Sequence, residues 1–205
     1  YDDFNTAVGL DSAGRTQLHH KGKLVIGVEN TPTVIFDLMQ FLVIDLGGVV
    51  GQIGMGQHGT AFAHAGMRMG PAICYEGLYG DFYGDFVRRG AQFMAIISND
   101  GWWGDTPGYK HLFTISRLRA IEHRRAIARS ANTGMSGFIS ARGDIGETLG
   151  WKKRGVISAA VPLNSELTFY TRYGDYLGRI SEYLTLLCVL YYIAYRVKRK
   201  NYLVK

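Results

Sequence analysis

Short apolar runs alternate with polar and glycine-rich punctuation along most of this chain, and the spacing within each run predicts its element. Asn5-Thr-Ala-Val-Gly-Leu reads as a strand closed by the turn Asp11-Ser-Ala-Gly14, and Lys23 to Glu29 as a short strand or extended loop. The apolar run Val34–Leu46, followed by closely spaced glycines from Gly47 to Gly56, reads as a loop that touches a membrane or covers a site, or as plain core. From Met67 the pattern sharpens. Arg68 to Ile73 is an apolar-biased strand that stops at Cys74-Tyr75-Glu76-Gly77; Leu78 to Arg89 is a helix capped by Gly90; Phe93 to Ile97 is a buried-type strand ending in Ser98-Asn-Asp-Gly-Trp-Trp-Gly-Asp105. This is a β-α-β unit. A helix over His111–Arg129 follows, with Leu112, Ile115, Leu118 and Ile121 at helical spacing, and then strands near Met135–Ser140, Ile145–Leu149 and Val156–Val161. Mixed strand and helix order predicts an α/β or layered α+β domain.

The last element, Tyr176 to Tyr195, contains an unbroken apolar run of 13 residues from Tyr183. Thirteen helical residues cover about 20 Å, short of a hydrocarbon core of ~30 Å, so a span needs the preceding turn as well. The alternative is a C-terminal helix docked on the domain. Tyrosines at both ends and a cationic flank favour the membrane.

Composition narrows the class. With 205 residues, 47% hydrophobic and 20% charged, the chain can bury a core, which excludes disorder, and its 27 glycines follow no collagen-like period. The net charge of +6 could point to nucleic acid or to an anionic membrane, and its location decides. Arg196, Lys198, Arg199, Lys200 and Lys205 all follow the apolar run, and the remainder is close to neutral, so the pattern is a juxtamembrane tail and no nucleic-acid partner is expected. A tail in the cytoplasm places the folded domain on the opposite face. The first residues show no basic, apolar leader, and the chain reads as the C-terminal part of a longer one. Two cysteines in unlike contexts make a disulfide framework improbable, and six histidines without ligand spacing call for no metal or other cofactor.

Cys74 is the leading chemical candidate. A thiol at a strand end, beside Glu76 and ahead of a helix, can sit exposed on a tight turn with backbone N–H groups facing a developing oxyanion, although most free cysteines are buried and inert. Acyl transfer through a thiol also needs a base and oxyanion donors. Lys21 and Glu29, eight residues apart, could return to the same end of the sheet, or could be a solvated basic loop and a surface carboxylate. The Trp102-Trp103 pair suits an acyl chain or a lid, or is a turn with surface-packed aromatics. Arg117, Arg119, Glu122, Arg124, Arg125 and Arg129 read as a salt-bridged helix face, with Glu122 and Arg125 three residues apart.

Pro71-Ala-Ile-Cys74-Tyr-Glu76, then Ser98 to Asp105, then Arg117-Leu-Arg-Ala-Ile-Glu122 with Arg129-Ser-Ala-Asn-Thr-Gly134, resemble in order and spacing the nitrilase superfamily of carbon-nitrogen hydrolases, most closely its apolipoprotein N-acyltransferase branch. Tyr170-Thr-Arg-Tyr-Gly-Asp175 leading into a terminal hydrophobic helix adds to that resemblance. It implies a partial nitrilase-like αββα sandwich over 1–175, a transmembrane helix over 176–196 and a basic cytoplasmic tail over 197–205. It further implies Cys74 as nucleophile, Lys21 as oxyanion stabiliser and Glu76 as supporting carboxylate, with Glu29, Tyr75 and Trp102 toward substrate. The family's base glutamate and its N-terminal membrane helices would precede Tyr1. The implied reaction moves an acyl chain from a phospholipid, through a cysteine thioester, to the α-amino group of a diacylglyceryl-cysteine on an apolipoprotein, at the bacterial cytoplasmic membrane. A water-accepting carbon-nitrogen hydrolase and a non-catalytic membrane-anchored module are the alternatives.

Overall fold

The computed structural model describes residues 3–25, 29 and 53–203. The Val34–Leu46 run and the glycines from 47 to 51 lie outside the described residues, as do 26–28 of the segment expected to be a strand or loop. Lys23 to Val25 carry no regular structure.

The chain opens with a hairpin, β1 (Thr6–Leu10) and β2 (Thr16–His20), antiparallel with Ala7 opposite His19. Asp11 closes its turn by accepting from the amides of Ala13 and Arg15. β2 was not expected, because His19-His20-Lys21 reads as polar loop until its alternation is noticed: His19 and Lys21 are buried while His20 is only half so. The hairpin leans on β3 (Phe62–His64) through paired bonds between the Gln17 amide and the Ala63 backbone.

Six strands form the main sheet in the order β3-β4-β5-β6-β7-β8, with β4 (Met67–Ile73), β5 (Phe93–Ser98), β6 (Ile127–Ala131), β7 (Ser136–Ile139) and β8 (Ile145–Leu149). The β4-β5-β6 centre is parallel and both flanks are antiparallel. Parallel neighbours need crossovers, here the helices α1 (Gly80–Arg88) and α2 (Pro107–His123). Tyr83, Phe86 and Val87 of α1 and Phe113 and Ala120 of α2 pack on Met94, Ile96 and Ile127 to make the core. On β5 the alternate residue Ile97 is half exposed on the other face, where the cavity described below opens.

The helix expected over His111–Arg129 is shorter and earlier. Thr106 caps its start by accepting from the Gly108 amide, Pro107 takes the first turn, and Arg124, at φ +51°, ends it. Residues 127–131 are a strand instead, with Met94 opposite Ile127. The buried Arg125 anchors the reversal by donating to the carbonyls of Ala91 (2.7 Å) and Glu166 (2.9 Å), so the expected Glu122–Arg125 pair does not form and Arg119 takes Glu122 at 2.9 Å. Residues 156–161 are irregular where a strand was expected, and Val156 is 95% exposed, so this alternation finds no face to pack on among the described residues.

Helix α3 (Phe169–Tyr173) and the long α4 (Tyr176–Leu203) close the chain. Tyr176–Arg196 is apolar and long enough to cross a membrane by length and composition, at about 32 Å. None of that window is buried against the described residues of the domain.

His123 ties α2 to this end of the molecule. Its Nε2–H donates to the Gly80 carbonyl at 3.1 Å and its Nδ1 accepts from the Thr171 hydroxyl at 2.9 Å. Burial first, then the neighbouring Arg119 guanidinium, push its pKa down to about 3. The unfolded chain takes up a proton near pH 6.5 that the folded chain refuses, so this contribution is complete above that pH and is lost as pH falls toward 3. Thermal midpoints are expected to drop between pH 6 and pH 4 at a cost of about 1 kcal/mol per pH unit, and His123→Gln to flatten that slope.

Candidate active site

The carboxyl ends of β4, β5 and β6 and the segment after β2 converge on one cavity of about 560 Å³. Of the residues singled out from the sequence, Cys74, Tyr75, Lys21, Glu29 and Trp102 line it.

Cys74 follows β4 directly and adopts φ +47°, a left-handed conformation costing a non-glycine residue roughly 1 kcal/mol. It opens a short 3-10 turn, Cys74–Leu78, and is partly exposed to the cavity. Glu76 stabilises that turn. Its side chain is fully buried, and it accepts from the amides of Ile73 (2.6 Å) and Gly22 (2.6 Å) with the His19 ring nitrogen 3.1 Å from both oxygens. Glu76 therefore does not face the cavity; it bridges the turn of Cys74 to the segment of Lys21.

Lys21 is almost completely buried, and its ammonium donates to both Glu29 oxygens at 2.8 and 2.7 Å. The Glu29 carboxylate also accepts from the Val25 amide and from Asn5 Nδ2 at 2.9 Å. Burial acts to raise the Glu29 pKa, but the Lys21 ammonium and these donors outweigh it and hold it below the usual carboxylate range. At neutral pH Glu29 is thus an anion that fixes the Lys21 ammonium at the cavity wall.

The rest of the wall is largely apolar: Val25, Ile73, Ile97, Leu112, Trp102 and Trp103. Both tryptophans lie on the loop after β5 and are about half exposed. A buried ion pair holds that loop. Arg129 of β6 grips both oxygens of Asp100 with two bonds of 3.0 Å and donates to the Met135 carbonyl, while Ser98 Oγ also donates to Asp100 Oδ1 at 2.5 Å. Gly134 is needed there, since a Cβ would fall on the Asp100 carboxylate.

Residue reasoning missed Asn5, His19 and Asn132 here, took Asp100 only as part of the strand-end cluster Asn99–Asp105, and placed Arg129 on a salt-bridged helix face. The missed signal was period two: Ile127 and Arg129 are both buried, with Ala128 between them less so. Among the described residues no cluster of histidine, cysteine and carboxylate side chains could hold a metal ion.

The profile of the carbon-nitrogen hydrolase family matches residues 1–167. An apolipoprotein N-acyltransferase of Chlorobaculum tepidum is 36% identical over 181 residues, covering 85% of this chain and 34% of that protein. One from Rhizobium meliloti is 42% identical over 97 residues, covering 47% of this chain and 18% of the relative. The chain thus spans about a third of the length of the first relative and less of the second. Among solved structures, an amidase from Nesterenkonia sp. AN1, with acrylamide added at its active-site cysteine, superposes with a TM-score of 0.54 over 86% of this chain and 62% of its own, at 14% identity. A Saccharomyces cerevisiae member of branch 10 of the nitrilase superfamily gives 0.55 over 74% and 51%, at 18% identity. These likenesses establish the nitrilase-type αββα fold that the sequence motifs implied. On the family match over most of its length, this chain belongs to the carbon-nitrogen hydrolase family.

Proposed function

We propose that this chain carries the thiol half of an N-acyltransferase that moves a fatty acyl group from a phospholipid to the amino-terminal diacylglyceryl-cysteine of apolipoproteins. What carries the reading is Cys74 on a left-handed turn at an apolar cavity beside a buried lysine, in a chain 36% identical to a protein of that name. The chemistry is two displacements. The Cys74 thiolate attacks the ester carbonyl; a C–S bond forms, the ester C–O bond breaks, and the lysophospholipid oxygen receives the proton that the thiol had given to a base. The acceptor amine then attacks the thioester; a C–N bond forms, the C–S bond breaks, and the amine's proton restores the thiol. In both steps the Lys21 ammonium, fixed by Glu29, and backbone N–H groups stabilise the tetrahedral oxyanion. Glu76 and Glu29 have their oxygens committed to other donors, so the base is supplied from outside the described residues.

Trp102, Trp103, Ile97 and Leu112 suit an aliphatic chain, and Tyr75 lies beside the thiol at the cavity wall. Helix α4 would span the bacterial cytoplasmic membrane over 176–196, with residues 1–175 as the catalytic domain. The cations after it favour a cytoplasmic C-terminus with the domain on the outer face. A fluorescent protein fused after Lys205 is expected to mature and an alkaline phosphatase fused there to stay inactive; the opposite pair would reverse this orientation.

The test of function is intact mass after incubating the complete protein with phospholipid and no acceptor. A fatty-acyl increment, labile to hydroxylamine and discharged onto a diacylglyceryl-cysteine peptide far faster than into buffer, is expected. Discharge into water at the same rate would make the protein a hydrolase, and no increment on an accessible Cys74 would remove the acyl-enzyme altogether.

A further inference from the structure

We propose that His19 is a positioning residue for Cys74, acting through Glu76. The proposal rests on Cys74 being the nucleophile, as read above, and adds a residue that the sequence left in a solvated basic loop. Its side chain is fully buried at the end of β2, two residues before Lys21. The Phe86 ring packs edge-on against the imidazole, with ring centroids 4.8 Å apart. Nε2 lies 3.1 Å from both Glu76 oxygens, and Nδ1 lies 3.4 Å from Thr60 Oγ1.

A carboxylate can only accept, so Nε2 carries a hydrogen and donates to Glu76, while Nδ1 pairs with the Thr60 hydroxyl. The same carboxylate receives Gly22 N–H, one residue after Lys21, and Ile73 N–H, one residue before Cys74. Glu76 is therefore the joint between the two functional segments, and among the described residues His19 is the one side chain that binds it. Gly22 N–H holds Oε1 and Ile73 N–H holds Oε2, while Nε2 spans both oxygens; without it the buried carboxylate keeps only its two backbone donors, and the weakened joint leaves the turn at Cys74 free to relax from its positive φ. Relaxation swings the thiol away from the cavity. The carboxylate and its imidazole thus preorganise the nucleophile without touching substrate.

The test uses side chains that place a donor at one ring nitrogen or the other. In the complete protein in detergent, His19→Gln puts an amide nitrogen near the position of Nε2, and His19→Asn puts one near that of Nδ1. Iodoacetamide alkylation followed by peptide mass spectrometry reports Cys74, with an added cysteine peptide as the reference thiol in the same tube. His19→Asn is expected to lower the ratio of the Cys74 rate to the reference rate at least fivefold, and His19→Gln to keep it within twofold of wild type. Acyl-transfer kcat should follow the same ranking with KM little changed. Thr60→Val, which removes only the partner of Nδ1, should lower the ratio about twofold and carries the test if His19→Asn does not fold. Wild-type ratios in His19→Asn, equal losses in the Asn and Gln variants, or no change in Thr60→Val would overturn the proposal. Alkylation consumes no acyl donor, so the expected ranking in a protein that takes no acyl group from phospholipid would sink the transferase reading and leave His19 in place.

Discussion

Cys74→Gly is expected to abolish the proposed acyl transfer while raising the stability of the folded domain. The two effects come from one backbone conformation. At φ +47° a side chain at residue 74 costs roughly 1 kcal/mol, which glycine does not incur, so the variant should melt a few degrees above wild type. The thiol is the only atom at that position able to form the thioester, so turnover should fall by at least ~10³-fold and the acyl mass increment should vanish. Cys74→Ala, which keeps the β-carbon, separates the effects: equally inactive, without the gain in stability. A Cys74→Gly protein less stable than Cys74→Ala would mean that the left-handed turn is not a strained one. The protein retains this strain because a left-handed residue at the end of a parallel strand turns the thiol into the cavity.

Arg129→Met should cost about 3–5 kcal/mol, the usual range for removing one member of a buried ion pair. Arg129 and Asp100 side chains are at most 2% exposed, and Asp100 would be left a buried anion with Ser98 as its remaining side-chain partner. Replacing both residues, Asp100→Leu with Arg129→Met, should recover at least half of that loss, since two apolar groups no longer need solvation. Activity should not recover with it. The pair joins the loop of Trp102 and Trp103 to the turn that carries Asn132, two parts of the cavity wall, and an apolar substitute fills space without fixing their orientation. Denaturation midpoints and phospholipid-dependent acylation of the single and double variants measure the two halves separately. A single variant within 1 kcal/mol of wild type would show the pair to be solvated.

Some of this was legible because it is local. The strand into Cys74, the β-α-β unit, the strand over Ile145–Leu149 and the terminal helix follow from runs whose period can be counted, and the ordered motifs through Glu76, Asp105 and Gly134 identify the family before any contact is known. The spacing of Lys21 and Glu29 left open whether they return to one end of the sheet or stay solvated; the fold pairs them with each other at 2.7 Å.

What the sequence by itself determined is the β-α-β unit, the place of Cys74 at a strand end and the basic flank of an apolar helix, each set by neighbours in the chain. Only the tertiary structure decided where the long helix pattern stops, because Arg124 turns left-handed and Ile127 gains more by pairing with Met94 than by extending α2. It alone showed Glu76 turned away from the cavity to receive Gly22 and Ile73, and Arg129 clasping Asp100. A buried charge is recognised by the donors that solvate it, and here one donor to each carboxylate, Gly22 to Glu76 and Arg129 to Asp100, lies 54 and 29 residues away, beyond any periodicity of a single element.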